Sequence, residues 1–274
     1  MKGTKILYIS QEITPYLPAT SQSSLSRDLP QSMQEKSFEV RTFMPLYGMI
    51  NERRNQLHEV IRLSGMNIVI DDTDHPLIIK VATLQPSRMQ VYFIDNDDYF
   101  HTHGSATLET ASSPEDNDER AIFFNRGVLE TVKKLRWDAA VIHCSGWISA
   151  FAPLYIKKVY ADDPAFAKAK VVTALFGPET AFEGTLDARL VEKLKFDGID
   201  DEAIKALGDA PVDHNTLMRM AMDHSDAIIA AQENVDPELI EYARSTGKPF
   251  MSFPGTEDFA QAYYNFYRTL LGVE

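Results

Sequence analysis

The 274-residue chain has one thiol, Cys144. An intrachain disulfide and a cysteine-rich zinc site are both excluded, and a reducing, cytoplasmic setting is the expectation. Long apolar runs are missing too. No stretch approaches the roughly 18 consecutive apolar residues of a transmembrane helix, and the first apolar run, Ile6–Ser10, stops at Gln11-Glu12, too short for the core of a secretory signal. Basic residues are in deficit: 27 Lys+Arg face 40 Asp+Glu, a formal charge of −13. Nucleic acids and anionic membrane surfaces are held by clustered cations, so neither is an expected partner. Glycine is absent from the loop after the first predicted strand, Ser10–Ser24. Phosphate cradles need glycine there to bring backbone N–H groups close, so dinucleotide and P-loop readings fail. HExxH, GxSxG, EF-hand and CxxC patterns are also absent.

What is present reads as a soluble α/β chain, 44% hydrophobic and 24% charged, long enough to bury a large core. Runs rich in Ile, Val, Tyr and Phe predict strands at Lys5–Ser10, Val40–Met44, Leu77–Ala82, Met89–Ile94, Ala139–His143, Lys170–Ala174, Asp226–Ala230 and Pro249–Phe253. Apolar residues three and four apart predict helices at Leu25–Lys36, Glu119–Leu135, Trp147–Tyr160, His214–His224, Pro237–Ser245 and Glu257–Leu271. This alternation implies a mainly parallel, Rossmann-like sheet with helices on both faces. Residues 57–82 carry no long helix and read as a β-hairpin excursion. The acidic, Ser-rich segment Thr102–Asp118 reads as a surface loop leading into a helix whose first turn suits carboxylates. The expected organisation is one domain over residues 1–255 and a C-terminal helix, residues 256–274, packed on it. Phe259, Tyr263, Phe266, Tyr267 and Leu270 form that helix's apolar stripe.

Reactive clusters are few. His101 and His103 follow Asp95, Asp97 and Asp98, a set that suits an exposed polar loop better than a metal site. His143 and Cys144 are adjacent at a strand end; neighbours on a strand point to opposite faces, so they read as a cleft-facing histidine beside a core cysteine. Asp74-His75 and Asp223-His224 read as turn and helix-end features. No catalytic residue, metal or cofactor is expected.

Ordered segments carry a family likeness. ILYISQEITPY and VRTFMPLYG (Val40–Gly48) resemble an opening strand with an E-x-x-P-[FY] loop and a V-R-x-x-x-P-x-Y-G turn. VYFIDNDDYF (Val91–Phe100), DNDERAIFFNRGVLE (Asp116–Glu130), WDAAVIHCSGWISAFAPLYIKK (Trp137–Lys158), KVVTALF (Lys170–Phe176) and NTLMRMAMDHSDAII (Asn215–Ile229) continue in the same order. Together they resemble the N-terminal domain of bacterial glycogen and plant starch synthases, glycosyltransferase family 5, with the GT-B fold. The C-terminal TEDFAQAYYNFYRTLL (Thr256–Leu271) is similar to the synthases' last helix through Ala260, Tyr263, Tyr267 and Leu270.

The likeness implies retaining transfer of glucose from ADP-glucose to an α-glucan, yet the polar positions differ. The family's K-x-G-G loop, which meets the donor phosphates, is replaced within Pro18-Ala19-Thr20-Ser21-Gln22-Ser23-Ser24-Leu25. Its D-W-H becomes Gly146-Trp147-Ile148, its T-I-H-N becomes Thr173-Ala174-Leu175-Phe176, and the lysine of its N-x-x-K helix becomes Met218 beside Arg219. The length also leaves no room for a second Rossmann domain. The resemblance therefore implies a synthase-like domain, non-catalytic alone, with ADP-glucose, α-glucan or a protein as the ligands in view. Its alternatives are a transferase completed by a partner chain and an oligomeric scaffold. In the scaffold, Trp147, Phe176 and Phe182 form an exposed interdomain face for homo-oligomerisation. Positions at or just after strand ends nominate Tyr16, His143, Trp147, Thr173 and Glu183 as ligand-binding candidates.

Overall fold

The computed structural model describes residues 3–101 and 116–273; most of the expected loop Thr102–Asp118, including His103, lies outside the described residues. Ten strands are described: β1 Lys5–Ser10, β2 Glu39–Pro45, β3 His58–Glu59, β4 Met66–Ile70, β5 Thr73–Leu84, β6 Met89–Asp95, β7 Val141–Ser145, β8 Lys170–Leu175, β9 Ala227–Ala230 and β10 Phe250–Met251. They form a sheet in the order β10-β9-β8-β7-β1-β2-β6-β5-β3, with β4 paired to β5. From β10 to β6 every pairing is parallel, whereas β5 runs antiparallel to β6, β3 and β4. The central strands read as continuous apolar runs because helices cover both faces of a parallel sheet; Ile6, Leu7, Ile9, Val141, Ile142, Val171 and Val172 are fully buried.

The helices are α1 Ser21–Glu35, α2 Asn117–Lys134, α3 Phe151–Lys158, α4 Leu190–Phe196, α5 His214–Asp223, α6 Pro237–Ser245 and α7 Phe259–Leu270. Helix α1 starts at Ser21 rather than Leu25 because Thr20 and Ser23 form a reciprocal capping box that turns a serine-rich stretch into a helix start. The single helix expected over Trp147–Tyr160 is divided: Gly146, at φ 83° and ψ 165°, leads into a short tight turn at Trp147–Ser149, and α3 ends at Lys158. The excursion resolves into the β4–β5 hairpin plus the short β3, and β5 continues to Leu84. Helix α4 has no counterpart in the sequence reading, being a short segment with a mixed pattern. Its Lys193, almost fully buried, reaches Asp118 at 2.8 Å and Glu119 at 2.7 Å on α2. Carboxylates Asp118 and Glu119 also begin α2 and Lys133 and Lys134 end it, as the helix dipole favours.

Helix α7 inserts Tyr263 and Tyr267, one turn apart, into the core, while Phe259, Phe266 and Leu270 are half-buried against it. The Tyr267 hydroxyl lies 3.0 Å from His143 Nδ1, and the His143 ring packs near Tyr8, Tyr263 and Tyr267. At the other side of the helix Tyr264 meets Phe38 edge-on, and Lys36 Nζ donates to Gln261 Oε1 at 2.8 Å.

Candidate functional site

The carboxyl ends of β8, β9 and β10 face the start of α1 and the start of α7 across a cavity of about 820 Å³. Its location follows from topology, since loops after parallel strands converge at that edge of an open sheet. Among the described residues three carboxylates line it, from Asp28, Glu179 and Glu233, and no lysine or arginine does. Apolar and aromatic side chains line it as well: Leu25, Phe253, Phe259 and Tyr263.

Glu179 accepts hydrogen bonds from two side-chain amides. Gln232 Nε2 donates to its Oε1 at 2.7 Å and Asn234 Nδ2 to its Oε2 at 3.0 Å; the Gly177 N–H in turn fixes Gln232 through Oε1 at 2.7 Å. A Cβ at Gly177 would lie 2.5 Å from Asn234 Oδ1 and nearer still to Glu179 Oε2, so glycine is what lets the network close. Partial burial pushes the Glu179 pKa up, but its own backbone N–H, Gln232 and Asn234 outweigh that and hold it below the usual value. Behind it, Glu12 accepts from the Thr20 hydroxyl at the start of α1. Burial raises the Glu12 pKa, against the bonds from Thr20 and the Ser23 backbone, and the charge of Glu179 adds to the rise. Asp28 is matched by Arg27, whose Nε is 2.6 Å away.

None of the five nominated residues lines this cavity. Tyr16 is buried, edge-on to Phe93 at 4.9 Å, and burial pushes its pKa up to about 12. Thr173 is buried with its hydroxyl 2.7 Å from that of Ser225. Glu183 is exposed. Trp147 is 1% exposed and packs on Phe182 at 5.0 Å. The expected exposed face is therefore corrected: Phe176 and Phe182 are buried too. The chain after β8 folds back over Trp147, with Phe182 also meeting His214 and the Leu186 N–H donating to Val212 O at 2.8 Å. His143 is likewise not cleft-facing, because α7 covers it.

Beneath that helix His143 is fully buried, and burial lowers its pKa to about 3; burial also raises the pKa of the Cys144 thiol. Neither is poised for nucleophilic work. The histidine has a stability consequence. The native state keeps the ring neutral while the unfolded chain takes a proton near pH 6.5, so stability is full above that pH and falls as pH drops toward 3. Between pH 7 and 5 the contribution lost is about 2 kcal/mol. Urea unfolding of the wild type and His143→Asn at both pH values should show the wild type losing that much more; parallel pH profiles would contradict it.

Asp95, Asp97 and His101 bring ligand atoms within 4.8 Å of one another. Asp95, however, is already paired with Lys80 Nζ at 2.9 Å and His101 Nε2 at 2.7 Å, and Lys80 also meets Glu52 at 2.8 Å. The set works as an internal ion-pair network.

Gly146 marks a second crowded point. A Cβ there would sit 2.5 Å from Gln11 Oε1 and nearer to Gln22 Nε2, and both glutamines are fully buried. Gln11 Nε2 donates to Thr180 O at 3.1 Å. The side chains of β1's loop and of α1 thus fill the space in front of the Gly146-Trp147-Ile148 turn.

The residues that sequence reasoning missed are Glu179, Gln232 and Asn234. Their signal was positional: G-P-E-T follows β8 and A-Q-E-N follows β9 at the sheet's carboxyl edge.

A largely parallel sheet sheathed by helices, with a ligand-sized cavity at its carboxyl edge, defines an open α/β domain of the kind that binds ligands at its strand ends. The chain belongs to the starch synthase catalytic domain family, whose model matches residues 5–248. It is 32% identical to a glycogen synthase of Chlorobium limicola over 87% of this chain and 48% of that protein. It is 35% identical to a glycogen synthase of Chlorobaculum tepidum over 87% and 49% respectively. The chain thus spans about half the length of these relatives. In fold it is similar to the catalytic domain of starch synthase IV from Arabidopsis thaliana, a structure bound to ADP and acarbose. The TM-score is 0.73 at 19% identity, covering 92% of this chain and 51% of that one.

Proposed function

We propose that this glycogen/starch-synthase-like domain does not transfer glucose by itself and that, of the two ligands its resemblance implies, it keeps the uncharged α-glucan rather than ADP-glucose. The observation that carries the reading is the cavity lining: three carboxylates and no cation. A diphosphate placed there meets Glu179 held in its ionised form. Two like charges about 4 Å apart repel by roughly 1 kcal/mol in water and about 4 kcal/mol at a protein surface. No glycine-rich backbone offsets this, because Ser21-Gln22-Ser23-Ser24 opens α1 and the N–H of Ser23 is spent on Thr20 Oγ1. Sugar hydroxyls, by contrast, donate to carboxylates and pair with the amides of Gln232 and Asn234, and pyranose faces pack on aromatic rings.

Transferase chemistry depends on electrostatic groups aimed at developing charge, and among the described residues no lysine or arginine lines this cavity to supply them. Purified protein incubated with ADP-glucose and glycogen should release ADP no faster than a heat-killed control. Turnover above that control would overturn the reading.

A further inference from the structure

We propose that the cavity at the ends of β8, β9 and β10 is also a binding site for a small aliphatic amine, its ammonium held by Glu179 and Glu233 and its carbon body laid along Phe253 and Phe259. The inference rests on the cavity already assigned to the glucan but goes beyond it in naming a charged ligand class.

Charge complementarity selects the occupant. Among the described residues Asp28 alone of the three lining carboxylates has a cationic partner, Arg27. Glu179 is bonded to two neutral amides, which orient a negative charge without neutralising it. Glu233 is exposed at the rim, and Glu257 and Asp258, next to the lining residues Thr256 and Phe259, are exposed beside it. Glu12 lies behind Glu179 close enough for their charges to interact. The same cavity is also lined by hydrocarbon and aromatic side chains, from Leu25, Phe253 and Phe259. An ammonium against carboxylates and near aromatic faces gains from both, and the carbon chain gains from the apolar wall. At about 820 Å³ the cavity has the volume of a small-molecule site. The three carboxylates disfavour an anion even against the roughly half positive charge at each of the α1 and α7 N-termini, and a purely apolar molecule would leave Glu179 without a counter-charge.

Calorimetric titration with hexamethylenediamine, hexanediol and ADP separates these cases. The diamine should bind, more weakly as salt rises, while the diol of the same length and ADP should bind at least tenfold more weakly. Glu233→Gln, at an exposed position, should weaken diamine binding by about threefold, and Glu179→Gln with Glu233→Gln by about tenfold; unchanged thermal unfolding verifies that the variants fold. Equal binding of diol and diamine, tighter binding of ADP, or diamine affinity unchanged in both variants would overturn the proposal. A maltotriose titration run alongside reads the glucan assignment separately, since diamine binding without maltotriose binding sinks only that assignment.

Discussion

Gly146→Asp, the substitution that restores the acid of the family's D-W-H motif, is expected to destabilise the chain by about 3–6 kcal/mol and to restore no activity. Gly146 sits at φ 83° and ψ 165°, a region open in practice only to glycine, where any side chain costs about 1–3 kcal/mol. A Cβ would also run into Gln11 Oε1, Gln11 Cβ and Gln22 Nε2, and overpacking of this kind costs a further 1–3 kcal/mol or so. The carboxylate itself would enter a fully enclosed space. Gly65 supplies the control: it has φ 82° and nothing within 4 Å of a built Cβ, so Gly65→Ala bears the backbone cost alone. Chemical denaturation of Gly146→Ala, Gly65→Ala and Gly146→Ala with Gln22→Ala should rank Gly146→Ala least stable, with the second substitution recovering part of the loss. Equal stability of the two single variants would show that the glutamines do not crowd this turn. The change from the family pattern at Gly146 is therefore built into its surroundings, and one reversion does not undo it.

Trp147→Asp should be as damaging, lowering the unfolding free energy by about 5 kcal/mol or abolishing soluble expression. Trp147 is among the largest fully buried side chains and its ring packs edge-on against Phe182. Truncating a buried Trp costs about 3–5 kcal/mol, and a carboxylate left in the space adds a desolvation cost. Trp147→Phe, which keeps a ring against Phe182, should lose less than half as much. An interface residue would behave otherwise: Trp147→Asp would fold normally and change only the elution volume. Denaturant midpoints together with size-exclusion profiles distinguish the two, and a stable Trp147→Asp protein would contradict the packing described here.

The sheet was legible in the sequence because its central strands are buried on both faces and read as mostly apolar runs, ILYI in β1, VVTAL in β8 and AIIA in β9. Helix α6, with Asp236 capping and Pro237 leading, matches its expected bounds at both ends. The short α4 was not legible, since what fixes it is the buried contact from Lys193 to Asp118, 75 positions away in the sequence. The site was legible only as a place. Strand ends pointed to the edge where the cavity lies, yet His143 and Thr173 at those ends are buried under α7 and against Ser225. Four positions separate Glu183, exposed with no role in the cavity, from Glu179, which Gln232 and Asn234 bind. No local pattern distinguishes the two glutamates. What separates them is the β9 loop, brought beside the β8 loop only by the fold.

On the proposed reading, the acidic lining of the cavity lets the domain bind α-glucan and not ADP-glucose. The most direct test is paired calorimetry of the purified chain with ADP-glucose and with a maltooligosaccharide at low ionic strength, where electrostatic attraction to a diphosphate would be least screened. Heat is expected from the maltooligosaccharide and none above dilution from ADP-glucose. Saturable ADP-glucose binding with no response to the maltooligosaccharide would contradict it.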